Sequence, residues 1–273
     1  MTAVGTDFER HWQAWHDQRE TRLRDPLGVL SWIGLHWLDT DEQPVPGVPG
    51  RWRADGDTVV VTVDRLGELA RDGRPLADST VLRPAEGAPG LELTAGTRIA
   101  EVVRRTGKFA VRVHDPAAPA LAHFAGIPAY RPDPRWAVLG FFEPYERSRT
   151  ITTAAVLDGL EHRHAAAGTV VFRLDGAEYR LIAFGRPETG LSVLFTDATS
   201  GVTTYPAARR LELGTPAVDG GLTVDFNRAL NLPCAFTDHA TCPLAPAENR
   251  LPVAIEAGEQ NPRTRAARTE YSR

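Results

Sequence analysis

Apolar side chains recur at Phe8, Trp12 and Trp15, with charged and polar residues filling the positions around them. That i, i+4, i+7 spacing marks one face of an α-helix and predicts an amphipathic helix over residues 8–23. Asp7 stands where an N-cap would, and Pro26 follows a basic last turn. The compact apolar run at residues 30–38 completes an N-terminal helical segment of about 7–38 that packs against the body.

From about residue 51 the pattern changes to short β-branched and apolar runs punctuated by Gly, Pro and Asp, which reads as strands and turns. Val59, Val61 and Val63 alternate onto one face. Residues 99–104 and 109–114 flank Arg105-Thr106-Gly107-Lys108, and residues 170–174 and 177–184 flank Asp175-Gly176, so two antiparallel hairpins are expected. Residues 191–196, 222–226 and 252–256 predict further strands, while residues 86–90, 162–168 and 219–221 read as loops. No βαβ alternation occurs. The fold expected is mainly β: an antiparallel β-barrel or sandwich with an N-terminal amphipathic helix. It forms a single domain over residues 1–273, with a β-rich body over about 51–259. Residues 260–273 carry four arginines against Glu270 and read as a solvated tail.

Composition narrows the function classes. With 42% hydrophobic and 24% charged residues in a 273-residue chain, a folded core is available and disorder is excluded. A formal charge of −4 offers no general attraction for nucleic acid or an anionic membrane. No run approaches the roughly 20 apolar residues of a membrane-spanning helix, and no basic-then-apolar leader opens the chain. Two cysteines make no disulfide framework, so a cytoplasmic location is expected. No G-x-G-x-x-G, P-loop or cysteine-rich cluster is present, and no cofactor is expected.

The densest polar segment runs from Phe195 through Asp197, Thr199, Ser200, Thr203 and Thr204 to Tyr205. Its carboxylate and hydroxyls would organise a ligand or water, or else Asp197 closes an Asx-type turn on local amides. Ser200 lacks a G-x-S-x-G elbow and is not read as a nucleophile. A second block, Asp225-Phe226-Asn227-Arg228-Ala229-Leu230-Asn231, mixes a carboxylate, carboxamides and an arginine. Turned inward, Asn227 and Asn231 would orient a ligand while Arg228 or Arg209 clamps an anion; turned outward, they cap loops. Arg112 and His114 share a strand face and would form an anion-binding wall, or simply guard an edge. Cys234, His239 and Cys242 are a weak alternative for zinc, because their spacing does not match a knuckle. His162 and His164 would point to one side if their segment is extended.

Residues 195–209, 225–234 and 242–259 resemble the bacterial family catalogued as domain of unknown function 1684. The resemblance rests on Phe195 with Asp197 to Gly201, Thr204 and Tyr205; on Asp225 to Ala229, Asn231 and Cys234 to Phe236; and on Cys242-Pro243-Leu244 through Asn249-Arg250-Leu251-Pro252 to Gly258-Glu259. Leu232 and Ala207-Ala208 depart from the family pattern without removing a reactive side chain. The resemblance implies no particular reaction.

Taken together, the residues suggest an enzyme acting on a small polar or anionic metabolite by cofactor-independent hydrolase- or lyase-like chemistry. Asp197 or Glu259 would be the acid/base, Arg209 or Arg112 would fix a negative group, and Asp225, Asn227, Asn231 and Asn249 would line the same hollow with Thr199, Ser200, Thr204, Tyr205 and Arg228. The alternatives are a non-catalytic small-molecule-binding barrel, and a structural polar network whose members are buried and bonded to one another.

Overall fold

Helix α1 spans Ala3–Leu23 in the computed structural model, which describes residues 3–263. Asp7 therefore lies within the helix rather than capping it. Trp12 is buried and Phe8 and Trp15 are half-buried, as the stripe requires, and His16 joins them by stacking on Trp12. No helix among the described residues is long and apolar enough to cross a membrane. The tail expected at residues 260–273 lies outside the described residues from 264 onward.

The described chain divides into two compact units, one made of residues 21–124 and 236–241, the other of residues 3–20, 125–235 and 242–263. In the first, strands β1 (Trp32–Trp37), β2 (Gln43–Pro44), β3 (Arg51–Asp55), β4 (Thr58–Thr62), β5 (Ala70–Arg71), β6 (Arg74–Pro75), β7 (Ser79–Leu82), β8 (Leu91–Ala95), β9 (Arg98–Arg105) and β10 (Lys108–His114) make two antiparallel sheets. Their orders are β1-β10-β9-β8-β5-β6 and β2-β3-β4-β7. Leu93, Val102, Val111 and Val113 of the first sheet share a core with Trp52, Val59, Val61 and Leu82 of the second, a sandwich held by burial of both inner faces. The apolar run after α1 is not helical beyond a short 3-10 turn at Val29–Ser31; its residues 32–37 extend because they pair with β10.

The second unit holds β11 (Ala137–Ala154), β12 (Glu161–Leu174), β13 (Ala177–Arg186), β14 (Gly190–Phe195), β15 (Arg209–Gly214), β16 (Gly221–Asp225) and β17 (Leu230–Asn231). They form one sheet ordered β16-β11-β12-β13-β14-β15-β17 over a core that includes Phe172, Val193, Phe195, Leu211, Val224 and Phe226. Among the described residues no sheet closes on itself, so the barrel alternative is not realised and the mainly antiparallel, sandwich-like form is.

Both expected hairpins form. Thr106 and Gly107 (φ 52° and 75°), and Asp175 and Gly176 (φ 50° and 82°), are consecutive left-handed pairs, the backbone of the I′ turns that match strand twist. Two further expectations fail for identifiable reasons. Residues 162–168 are strand, because β11 continues past a bulge and supplies pairing partners from Arg149 to Ala154. Residues 252–256 form no strand even though their pattern is strand-like, because side chains take up their backbone groups, as described next.

Candidate functional site

β14 runs into a tight turn whose hydrogen bonds radiate from Asp197. Its Oδ1 accepts from the Thr199 amide at 2.7 Å, the Thr199 hydroxyl at 2.6 Å and the Ile255 amide at 3.3 Å. Its Oδ2 accepts from Arg209 Nη2 at 2.7 Å. The Thr199 hydroxyl in turn meets Thr204 Oγ1 at 2.8 Å, and Ser200 Oγ accepts the Asp197 amide. Arg209, at the start of β15, also donates to the carbonyls of Ile255 and Ala257. The Asp197 and Arg209 side chains are both fully buried. Burial lowers the Arg209 pKa, and the charge and hydrogen bond of Asp197 oppose it first, then Tyr130 and Glu259.

Asn249 serves a different gap. The β13–β14 ladder pairs Arg186 with Gly190 through Phe184 with Ser192 and then stops. Continued in register, the next such pair would be Ile182 and Leu194. Instead the Asn249 carboxamide enters there, accepting from the Ile182 amide at 2.7 Å and donating to the Ile182 and Leu194 carbonyls at 3.0 and 2.8 Å. One side chain replaces the missing ladder bonds, as buried backbone groups require.

Asn227 does the same for Asp133, accepting from its amide and donating to its carbonyl, with Asp225 Oδ1 as a further acceptor. Trp12 Nε1 of α1 donates to the Asn227 carbonyl at 2.8 Å. Glu259, fully buried, accepts the Asn231 amide at 2.6 Å and Arg19 Nε at 3.0 Å, while Arg19 Nη2 reaches the Asn231 carbonyl. Arg228 is half-exposed beside Asp225 and over the Trp15 ring. Tyr205 is half-buried.

Asp197, Thr199, Thr204 and Arg209 are thus brought together, and Glu259 joins Asn231. Asn227 and Asn249 are each occupied by a backbone segment of their own. Arg112 and His114 lie in the first unit, where the anion they face is Glu101. Arg112 Nη1 is 2.6 Å and His114 Nε2 3.1 Å from one Glu101 oxygen, and Arg112 also stacks on Trp32. β10 is an interior strand, so these charges guard no edge.

Burial alone would raise the Glu101 pKa, but the His114 hydrogen bond and the charge and hydrogen bond of Arg112 outweigh it and bring it to about 2 from an ordinary 4.5. A carboxylate whose folded pKa is depressed adds stability above its unfolded pKa and loses it as pH falls through the folded one. The expected loss is about 3 kcal/mol between roughly pH 5 and pH 2. Urea unfolding at stepped pH checks this: Glu101→Gln should flatten that window.

Among the described residues no group of three His, Cys, Asp or Glu side chains is placed to hold a metal ion. Cys234, His239 and Cys242 make no such group; the Cys234 amide instead donates to Cys242 Sγ at 3.3 Å, and no disulfide joins the two. His162 and His164 do share a face of β12 and stack at 5.8 Å. Burial, then the charges of His162 and Arg210, lowers the His164 pKa.

Sequence reasoning missed Glu101, Asp133, Ile182 and Arg19. Only Arg19 left a signal, being a charged residue seven positions after Trp12 on the apolar stripe of α1.

The profile of a family described as "Protein of unknown function (DUF1684)" matches residues 122–260. A solution NMR structure of an uncharacterized protein from Haloarcula marismortui is 32% identical, over 51% of this chain and 78% of that one, with a TM-score of 0.43. No curated protein matches. The matched span contains the Asp197–Arg209 pair, Asn227, Asn231, Asn249 and Glu259, and the chain belongs to the DUF1684 family.

Proposed function

We propose that the polar signature of this family is a structural fastening: a buried network that binds residues 249–259 to β13, β14, β15 and β17 of the seven-stranded sheet. The observation that carries this reading is the engagement of Asp197, whose two oxygens serve four donors inside a fully buried ion pair. A general acid or base must reach a substrate proton, and a carboxylate so committed is suited to holding backbone. Asn227 and Asn249 follow the same logic, each standing in for a strand partner.

Glu259→Gln separates this from the acid/base reading. The amide has one acceptor oxygen where the carboxylate used two, so residue 259 can no longer accept from the Asn231 amide at one oxygen and from Arg19 Nε at the other. The fastening reading expects unfolding to be easier by about 2 kcal/mol in urea titration. An unchanged or raised midpoint would favour Glu259 as a reactive group, since replacing a strained catalytic carboxylate relieves rather than costs stability.

A further inference from the structure

Across β14, β15 and β17, Phe195 pairs with Arg209 and Arg209 with Asn231, so the three side chains stand in a row on one face of the sheet. Phe195 covers one side of the guanidinium, its ring centre 5.1 Å from Cζ. The paired residues Arg209 and Asn231 each carry one unmatched atom. Among the described residues, Arg209 Nε and Asn231 Oδ1 are each buried without a hydrogen-bond partner, on residues 0% and 3% exposed. The orientation of the Asn231 amide is not free to correct this. Its nitrogen donates to the Gln260 carbonyl at 2.8 Å, and turning it over would set two acceptors against each other.

A buried donor and a buried acceptor on directly opposed residues ask for a group that accepts from one and donates to the other. A cation would leave the Nε proton unmatched and face the Arg209 charge. An anion would confront Oδ1 with the carboxylates of Asp197 and Glu259 nearby, and an apolar group would satisfy neither atom. A neutral hydroxyl fits both. We propose that Arg209 and Asn231 form a binding site for a single O–H group, supplied by an internal water molecule or by the hydroxyl of a small bound ligand. The site goes beyond the fastening role and does not depend on it, because the two unmatched atoms take no part in holding residues 249–259.

A high-resolution crystal structure of the full chain, with native mass spectrometry of the same preparation, tests this. The expected result is a density peak about 2.7–3.2 Å from both Nε and Oδ1. An isolated sphere with an unchanged protein mass identifies water. Density continuing into further atoms, with an added mass, identifies a ligand hydroxyl. A direct Nε to Oδ1 hydrogen bond, or two separated atoms with no peak between them, overturns the proposal. Neither result alters the expected effect of Glu259→Gln, so the two readings fail separately.

Discussion

Asp197→Ala is expected to lower the free energy of unfolding by about 3–5 kcal/mol, the cost of stranding one partner of a buried ion pair. The size follows from what remains. Arg209 stays fully buried without its ion-pair partner, and the Thr199 and Ile255 amides lose their acceptor. Arg209→Met is also costly, because the Ile255 and Ala257 carbonyls lose their donors. The double variant should nevertheless unfold less readily than the sum of the two predicts, with a coupling of about 1–3 kcal/mol, because the stranded charge is gone. Urea titration of the four proteins provides the cycle, and strict additivity would show that the pair does not act as a unit.

The second large effect belongs to Asn249. Truncation to alanine removes the partner of three buried backbone groups at once: the Ile182 amide and the carbonyls of Ile182 and Leu194. At about 1 kcal/mol or more each, the expected loss is roughly 3 kcal/mol or above. Asn249→Asp should be worse despite its similar shape, since a carboxylate has no hydrogen to donate and would face two carbonyl oxygens. The order wild type, Asn249→Ala, Asn249→Asp in denaturant midpoint is the result to look for. An Asp variant as stable as wild type would mean that the carboxamide does not bridge the gap in the ladder.

How much of this was legible in the sequence depends on the range of the interactions involved. The α1 stripe, the Asp175-Gly176 turn and the alternation of Val59, Val61 and Val63 are local patterns, and each formed where it was expected. The Asx turn at Asp197 was also readable, because Thr199 lies only two residues away. What could not be read was the partner of each polar side chain. Asn227 meets Asp133 across 94 residues, and Asn249 meets Ile182 across 67. No local spacing encodes such a meeting.

The strand expected at residues 252–256 failed for a related reason. Periodicity reports which side chains are buried, not what receives the backbone hydrogen bonds. Here the Ile255 amide and carbonyl go to Asp197 and Arg209 rather than to a neighbouring strand. The partner of Arg112 was hidden in the same way, since Glu101 lies eleven positions back across the hairpin.

The claim beneath all of this is that Asp197 holds a backbone segment in place. Native-state hydrogen exchange at the Ile255 amide tests it most directly, because that hydrogen is bonded to Asp197 Oδ1 and lies outside every strand. The account predicts protection comparable to that of the Val193 and Leu211 amides in the sheet, lost selectively in Asp197→Ala. Exchange at the rate of an open loop in the wild-type protein would contradict it.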